Sequence, residues 1–373
     1  MAESTRLVDL VQRRIDGFLA DRTTELAAIT PELGPVTDVA RDFLSGGKRF
    51  RALFCYWGWQ SVSGRADERD PLAGTEATTD LDGVVLAASA LEVFHAAALV
   101  HDDIMDRSDT RRGKPSAHRL FEALHRNGKW DGDAADFGQA AALLLGDLVL
   151  GWSDELFDAG GELLTVPGAA RAGRVEFARM RTEVTAGQYL DILEENSWLV
   201  HPETEALSRA HRVIVYKSAK YSVEAPLAIG GALAGASAEQ LAALRAFGLP
   251  LGVAYQLRDD LLGVFGDPAV TGKPAGDDLR EGKRTVLIAL ARTRLPANAR
   301  SVVDELLGDP DLDAQQVDMV RTALTDSGAP DEVERIIDHN VGLARAAIAE
   351  APLSRTSREQ LLDLADRVTR RSS

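Results

Sequence analysis

Cysteine is almost absent from this chain of 373 residues, which contains only Cys55. A single cysteine excludes an internal disulfide framework and suits a reducing compartment. Basic residues are scarce relative to acidic ones, because 42 Lys and Arg stand against 58 Asp and Glu, which gives a formal net charge of −16. This balance argues against non-specific binding of nucleic acid, which depends on a basic surface.

Long apolar runs are missing as well. No stretch of about eighteen consecutive apolar residues, the length typical of a membrane-spanning helix, occurs in the sequence. The N-terminal segment "MAESTRLVDLVQRR" also lacks the apolar core of a signal peptide. We therefore expect no membrane span and a cytoplasmic location.

What the chain does contain is helical patterning. Apolar residues recur at three-to-four spacing, and sustained period-two alternation is absent. Predicted helices cover residues 5–29, 49–62, 81–106, 136–160, 169–195, 204–233, 237–265, 283–293, 297–307, 312–326 and 331–371. The Gly-, Pro- and Asp-rich segment 266–282 is predicted to be non-helical. Since no repeat or linker separates two halves, we predict a single all-α domain over residues 1–373, a bundle of about 10–15 helices around an apolar cavity.

The first acidic motif, "DDIMD", ends the most apolar predicted helix. Asp102 and Asp106 are spaced i,i+4 and therefore lie on one helix face. Mg²⁺ is commonly held by one or two protein carboxylates together with substrate phosphates, so this pair is a candidate metal site. Asp103 points further round the helix and would support the ion indirectly.

A second acidic pair, Asp259 and Asp260, ends another apolar helix within "YQLRDDLLGVFGD". The helix dipole disfavours carboxylates near a helix C-terminus. The alternative that both acidic pairs only solvate helix ends is therefore less favoured. Ligand sites in helix bundles are built from side chains on facing helices. The two pairs are therefore predicted to face each other at the mouth of a cavity.

Basic side chains accompany both acidic motifs. Arginine binds phosphate oxygens with a fork of donors and lysine binds them as a point charge. Each of these residues alone could be an ordinary surface charge, but together with the acidic pairs they predict a diphosphate site. The candidates are Lys48, Arg49, Arg51, Arg111, Arg112, Lys217, Lys220, Lys273 and Lys283.

Five segments in order resemble the trans-isoprenyl diphosphate synthase family, also called the polyprenyl synthetases. They are "GGKRFR", "EVFHAAALVHDDIMDRSDTRRGKPS", "YKSAKYS", "YQLRDDLLGVFGD" and "GKPAGDDLREGKRT", and the resemblance spans roughly residues 40 to 290, with the core motifs in 45–290. The sequences of the later segments resemble those of the actinobacterial geranylgeranyl diphosphate synthase branch. The resemblance implies an all-α isoprenoid synthase fold, a homodimer and a prenyltransferase that joins isopentenyl diphosphate to allylic diphosphates.

The resemblance also implies roles for single residues. Asp102 and Asp106 would bind Mg²⁺ on the allylic diphosphate, and Asp259 would hold a further ion with Asp260 supporting it; three ions per site are implied. Ligands of the allylic diphosphate would be Arg111, Lys217, Lys273 and Lys283, with Ser218 and Gln256 at further matching positions. The isopentenyl diphosphate pocket would comprise Lys48, Arg51, His95 and Arg112.

Two positions depart from the family pattern. Gly263 stands where the second acidic motif usually has a third aspartate, which puts the role of that carboxylate in doubt, and Asp267 could partly compensate. Ala52 stands where proline is common after the basic motif, a change expected to affect only the local turn.

Product length is predicted from the helix that ends in Asp102. Farnesyl-producing relatives often have bulky residues four and five positions before the first aspartate, where this chain has Ala98 and Ala97. Phe94 lies one further turn away, about 5–6 Å along the helix, which is similar to one isoprene unit. The predicted product is therefore geranylgeranyl diphosphate, with Phe94 either the floor of the cavity or ordinary core packing.

Several other functions remain open on the sequence alone. A synthase of farnesyl or longer-chain diphosphates would share every motif. A terpene cyclase uses a similar first acidic motif but normally pairs it with a different second motif. A non-catalytic synthase subunit would be expected to have lost acidic ligands, whereas this chain keeps both leading pairs.

Overall fold

The computed structural model describes residues 2–64, 79–111, 113–266 and 276–369. These residues are predominantly helical, which confirms the all-α prediction. The N-terminal helices are α1 (Ala2–Ile29), α2 (Gly34–Leu44), α3 (Phe50–Ser63), α4 (Thr79–Met105), α5 (Ala117–Gly128), α6 (Ala134–Glu162) and α7 (Ala169–Ser197). The next are α8 (Ala206–Val213), α9 (Ala225–Leu233), α10 (Ala238–Phe265) and α11 (Asp277–Arg280). The last are α12 (Val286–Arg294), α13 (Ala297–Leu306), α14 (Ala314–Asp326), α15 (Ala329–Ala349) and α16 (Arg355–Thr369).

Shorter elements connect the helices. Single 3₁₀ turns occur at Pro31–Leu33, Trp198–Val200 and Glu203–Glu205, and a π-helix runs over Ile214–Glu224. Strands β1 (Thr110–Arg111) and β2 (Lys114–Pro115) form an antiparallel hairpin, the only strand pair in the described ranges.

Most predicted helices agree with the structure to within a few residues at their ends. The segment predicted as one helix over 331–371 forms two helices, α15 and α16, and the segment 204–233 comprises α8, the π-helix and α9. The helices α2 and α5 were not predicted, and the prediction that residues 266–282 contain no helix is wrong for α11. This short helix begins with Asp277 and Asp278 in its first turn, after Gly276 in the left-handed region at φ 75°. Acidic side chains near a helix N-terminus are favoured by the helix dipole, so a sequence typical of a loop can form a turn of helix there.

Contacts between residues divide the chain into two compact units. The first comprises residues 1–175 and 226–236, and the second comprises 176–225 and 237–373. In the first unit α4 packs mainly against α6, with α1 and α3 also in contact with it. In the second unit α10 packs against the π-helix and α15. The single domain over residues 1–373 stays a prediction.

Two helices are long and apolar enough to cross a bilayer by length and composition alone. They are Asp80–Met105, within α4, and α6. The most apolar stretch of α4 is 78% buried inside the protein, as in a core helix, whereas that of α6 is 28% buried. Such helices are a weak indication of a membrane span, and the absence of one stays a prediction.

Helix α10 carries the second acidic pair in its last turns, and its start is fixed by a capping box. The Ser237 hydroxyl accepts a hydrogen bond from the Gln240 backbone N–H at 3.2 Å, and the Gln240 side chain accepts one from the Ser237 N–H at 3.0 Å. These reciprocal bonds satisfy backbone donors that the first helical turn leaves without partners.

The π-helix is held between two glycines of neighbouring helices. π-Helical turns are rare and occur mostly as single-turn bulges, often at functional sites. A Cβ at Gly187 of α7 would lie 2.3 Å from the Lys217 backbone nitrogen, and one at Gly252 of α10 would lie 2.4 Å from the Ala219 carbonyl oxygen. The backbone of the π-helix therefore approaches both helices more closely than any side chain at these positions would allow.

We expect Gly252→Ala to destabilise the protein by about 1–3 kcal/mol, because the added methyl group must displace backbone rather than a flexible side chain. Gly342→Ala in α15 is the matched control, because a Cβ there meets nothing within 4 Å. Replacing this exposed helical glycine should stabilise the protein by roughly 0.5–1 kcal/mol. Urea unfolding of both variants measures the difference, and equal stability of the two would contradict the close approach.

Candidate functional site

The acidic end of α4 is organised around Asp103. Its side chain is buried, and its Oδ1 accepts a hydrogen bond from Arg111 Nε at 2.8 Å and a second from Arg111 Nη2. The same Nη2 lies 3.5 Å from Oδ2 of the partly buried Asp102. A buried carboxylate requires such pairing, because burial without a partner costs several kcal/mol. Asp103 thus fixes Arg111 beside the candidate metal ligand Asp102.

The hairpin explains why Arg111 reaches back to α4. Arg111 pairs with Lys114 across β1 and β2, and Gly113 makes the turn at a φ of 73°. The Ser108 backbone N–H also donates to the Asp103 carbonyl at 2.9 Å, which closes the chain against the helix end. Arg112 lies outside the described residues.

The loop "GGKRFR" is anchored by Arg49. This buried residue adopts a left-handed conformation with a φ of 50°, and it lies 3.4 Å from Glu92 Oε2 and 2.6 Å from Gln12 Oε1. Glu92 Oε1 also accepts a hydrogen bond from the Ala52 backbone N–H at 3.1 Å. Arg49 is therefore a support of the loop rather than a candidate ligand. Glu92 was missed by the sequence analysis, although an acid within the apolar segment "SALEVFHAAALV" could have indicated it.

Buried Arg49 is flanked by the two predicted ligands of this loop. Lys48 is exposed and Arg51 is partly buried at the start of α3. His95 is partly buried on α4, three residues after Glu92. The structure thus places the loop and His95 in the same unit as Asp102 and Arg111.

The proposed lining of the cavity lies on α4. Phe94 and Ala97 are buried, and Ala98 is partly buried. Asp102 follows Ala98 by one helical turn on the same face, which keeps small side chains next to the acidic end. The role of Phe94 as a floor stays a prediction.

The second acidic pair consists of two carboxylates in different environments. Asp259 is exposed, whereas Asp260 is buried and accepts a hydrogen bond from Gln256 Nε2 at 2.8 Å. Burial raises the pKa of Asp260 to about 8; the hydrogen bond from Gln256 opposes this rise, and the negative charges of Asp278 and Asp259 add to it. Asp259 is the carboxylate accessible to a ligand, while Asp260 lies behind it in a supporting position.

Lys217 lies on the π-helix and pairs with an acid that the sequence analysis missed. Its Nζ lies 2.5 Å from Asp191 Oδ2 on α7, four residues beyond the glycine that receives the π-helix backbone. Ser218 follows it, partly buried. Gly187 and Asp191 are four residues apart and therefore lie on one face of α7. The sequence alone could not link this face to Lys217, because the link depends on the position of the π-helix.

Asp278 is the third acid that the sequence analysis missed, after Glu92 and Asp191. Its Oδ2 would lie 1.8 Å from a Cβ built at Gly263, and its Oδ1 lies 3.5 Å from Lys283 Nζ. Lys283 also pairs with Glu281. Asp267, predicted to compensate for Gly263, and Lys273 lie outside the described residues.

These groups suit a divalent cation that is shared with a phosphate ligand. No three His, Cys, Asp or Glu side chains form a ready-made metal cage within the described ranges. Mg²⁺ characteristically uses one or two carboxylates plus substrate phosphates and water rather than an all-protein cage. Burial is the main reason why the pKa of Asp260 is raised, and the negative charges of Asp278 and Asp259 add to the rise. A cation bound at the exposed Asp259 would relieve this added repulsion. That the acidic ends of α4 and α10 face each other stays a prediction.

Comparison with known proteins gives consistent similarities. A family model described as polyprenyl synthetase matches residues 35–324. Geranylfarnesyl diphosphate synthase of Aeropyrum pernix is 32% identical over 86% of this chain and 88% of its own. The crystal structure of geranylgeranyl pyrophosphate synthase from Corynebacterium glutamicum, complexed with isoprenyl diphosphate and magnesium, is 36% identical, with a TM-score of 0.89 over 98% of this chain and 99% of that one. The chain belongs to the polyprenyl synthetase family.

Proposed function

We propose that this protein is a Mg²⁺-dependent trans-prenyltransferase that condenses isopentenyl diphosphate with allylic diphosphates to give geranylgeranyl diphosphate. The observation that carries the proposal is the pairing of acidic with basic side chains at both motifs. Arg111 lies beside Asp102, and Lys283 lies 3.5 Å from Asp278, whose charge acts on Asp260 of the second motif. Acids that hold a metal ion and bases that contact phosphate directly are together what a diphosphate requires.

Asp102, Asp106 and Asp259 would hold Mg²⁺, with Asp103 and Asp260 as buried supports, and we propose three ions per site. When bound, the ions supply charge stabilisation for a departing diphosphate. The chain's own contribution is positional. Asp103 keeps Arg111 at the acidic end of α4, and Gln256 orients Asp260 on α10.

Two sets of mainly basic residues would each bind one of the two substrates. Arg111, Lys217, Lys273 and Lys283 would bind the diphosphate of the allylic substrate, with Ser218 offering a hydroxyl. Lys217 is already oriented by Asp191, so little side-chain freedom is lost on binding. The isopentenyl diphosphate would be bound by Lys48, Arg51, His95 and Arg112, on the loop supported by Arg49.

The proposed reaction has three steps. The C–O bond to the allylic diphosphate breaks, and both electrons leave with the diphosphate, whose charge the preorganised basic side chains such as Arg111 and Lys217 would stabilise. The double bond of isopentenyl diphosphate attacks the allylic cation and forms a C–C bond. Loss of a proton then restores a double bond, and the released diphosphate is a suitable base. Apolar side chains such as Ala97 must exclude water, which would otherwise capture the cation.

Product length would be set along α4. Ala97 and Ala98 leave room beyond the farnesyl length, and buried Phe94 would end the cavity one turn deeper. Geranylgeranyl diphosphate is the product named for the Corynebacterium glutamicum structure. The Aeropyrum pernix relative is named for a geranylfarnesyl product, so a longer chain is the alternative. A farnesyl product is less consistent with Ala97 and Ala98.

We also propose a cytoplasmic homodimer. Leu143 and Leu144 of α6 are 51% and 67% exposed on a helix whose apolar stretch is mostly uncovered. Adjacent exposed leucines on one apolar helix suit a self-complementary contact with a second copy. The single thiol, Cys55, is buried, and burial raises its pKa to about 12, which disfavours the reactive thiolate.

The combined substitution Asp102→Ala and Asp259→Ala should abolish turnover, because neither acidic motif could then retain its metal ion. The assay supplies Mg²⁺, isopentenyl diphosphate and dimethylallyl, geranyl or farnesyl diphosphate, and it measures product chain length. Asp38→Ala with Asp318→Ala is the control, because these acids are exposed in each of the two units. An unchanged rate in the first double variant would overturn the metal assignment.

The same assay distinguishes the alternative functions. Diphosphate release by the wild type without isopentenyl diphosphate would indicate a cyclase, and an inactive purified wild type would indicate a non-catalytic subunit.

Replacing Phe94 by Ala should lengthen the product, because removal of the ring opens the cavity by about one helical turn. Val93→Ala is the matched control, since it also shortens a buried side chain of α4 but points to another face. Chromatography of the prenyl alcohols after dephosphorylation measures chain length. If Phe94→Ala gives the wild-type product, the ring belongs to ordinary core packing.

The substitutions Leu143→Glu and Leu144→Glu together should convert a dimer to a monomer of 40.1 kDa, because they introduce repelling charges into the proposed contact. Leu343→Glu tests an exposed leucine on α15 that lies outside this surface. Light scattering after size-exclusion chromatography gives the mass. A monomeric wild type would refute the homodimer.

A further inference from the structure

We infer that the second unit contains a binding pocket for a small monocarboxylate with a short apolar chain, and that Arg284 holds the carboxylate. The pocket has a volume of about 200 Å³ and lies beside α7, α8 and α12. All of its lining residues belong to the second unit. None of the described residues that line it is a candidate ligand of the diphosphates or of the metal ions, so the inference does not rest on the proposed function.

Arg284 brings a positive charge with unused hydrogen-bond donors to this pocket. Its Nε and Nη1 are buried and have no hydrogen-bond partner among the described residues. Its guanidinium lies over the ring of Trp198, with Cζ 3.9 Å from the ring centroid. The face of an indole attracts a cation but offers no oxygen acceptor to its N–H groups. The contact with Trp198 therefore orients Arg284 without replacing an anionic partner.

The other acidic and basic side chains of the pocket are paired. Arg292 also lies over Trp198, with Cζ 4.6 Å from the ring centroid, but its Nε and Nη2 donate to the two carboxylate oxygens of Asp304 at 2.7 and 3.0 Å. Two further pairs are each joined by a hydrogen bond of 3.0 Å, Arg209 with Glu194 and Arg300 with Glu203. Because these charges cancel in pairs, the described lining carries one positive charge in excess, that of Arg284.

The surroundings of Arg284 solvate its charge poorly. Burial lowers the pKa of Arg284 to about 10; the charges of Asp304 and Glu195 oppose this change, and that of Arg292 adds to it. The side chain therefore keeps its positive charge near neutral pH, although water does not reach all of its donors. A carboxylate that enters the pocket would supply both the opposite charge and two acceptor oxygens.

The remaining walls determine the class of ligand. Apolar side chains form much of the lining and favour a short hydrocarbon chain next to the charged group. They are Leu199, Pro202, Ala206, Ile288 and Ala289. A carboxylate matches the single excess charge, whereas a phosphate monoester carries about −1.5 to −2 at pH 7 and would bring surplus negative charge near Glu194 and Glu203. We therefore expect a monocarboxylate rather than a phosphate ester.

Trp198 makes the test local, because it lies against Arg284. The full chain is labelled with 5-fluorotryptophan at its five tryptophans, and Trp198→Phe assigns the fluorine resonance of residue 198. Titration with 3-methylbutanoate over the millimolar range should shift this resonance to saturation. Acetate has the charge without the chain, and 3-methylbutanol has the chain without the charge. Each should bind about tenfold more weakly or less, because each lacks one of the two contacts.

Two substitutions test the role of the charge. Arg284→Gln keeps polar donors but removes the charge, so it should weaken binding of 3-methylbutanoate by about tenfold or more. Arg355→Gln is the matched control, because it removes an exposed arginine of α16 in the same unit and should bind like wild type. Unchanged resonances of the other tryptophans verify that Arg284→Gln is folded, and the ligand series on the wild type tests the pocket without any substitution.

Three results would overturn the inference. The first is a Trp198 resonance that 3-methylbutanoate leaves in place, or shifts equally in wild type and Arg284→Gln. The second is tighter binding of isopentenyl phosphate than of 3-methylbutanoate, which would contradict the charge match. The third is loss of the shift in the Asp102→Ala and Asp259→Ala double variant, because the resonance would then report a ligand in the proposed diphosphate site. A shift that persists in this variant supports a separate pocket, whether or not the wild type transfers prenyl groups.

Discussion

A carboxylate removed from water must be protonated, paired with a cation or hydrogen-bonded, and this constraint governs the ends of α4 and α10. Asp103 is buried, and its Oδ1 accepts hydrogen bonds from Arg111, which lies on the β1–β2 hairpin. Asp260 is buried with Gln256 as its donor, and its pKa is raised to about 8. Each of these buried acids is the sequence neighbour of a more accessible one, Asp102 and Asp259, which we propose as ligands of a divalent cation.

Close backbone approach is the second structural theme, and its examples lie in the second unit. Gly187 and Gly252 receive the π-helix, which presents Lys217 to Asp191. Gly263 leaves the volume that the Asp278 carboxylate fills. In each case a glycine on one helix leaves space for a neighbouring element, and that space determines the position of a charged side chain. The glycines that look dispensable in the sequence are therefore part of how the charges are positioned.

Helix α4, which carries Asp102 near its C-terminal end, would set the length of the product. Its side chains pass from acidic to small and then to aromatic within three turns, in the order Asp102, Ala98, Phe94. Relatives with similar overall sequences carry names for different chain lengths, so the shared fold alone does not specify the length of the product. Phe94 is buried in a position that suits such a residue.

The sequence by itself determined the helical class, most helix positions and the leading members of each cluster. Periodicity, the i,i+4 spacing of Asp102 and Asp106 and the motif resemblance are local features that one segment can carry. It did not reveal α11 or the partners Glu92, Asp191 and Asp278, because each contacts its target from a distant segment. Only the tertiary structure decided which acids are buried and which basic side chains they contact. It also showed that the Asp278 carboxylate fills the space next to Gly263. Burial and electrostatic pairing depend on neighbours in space, and no local spacing specifies them.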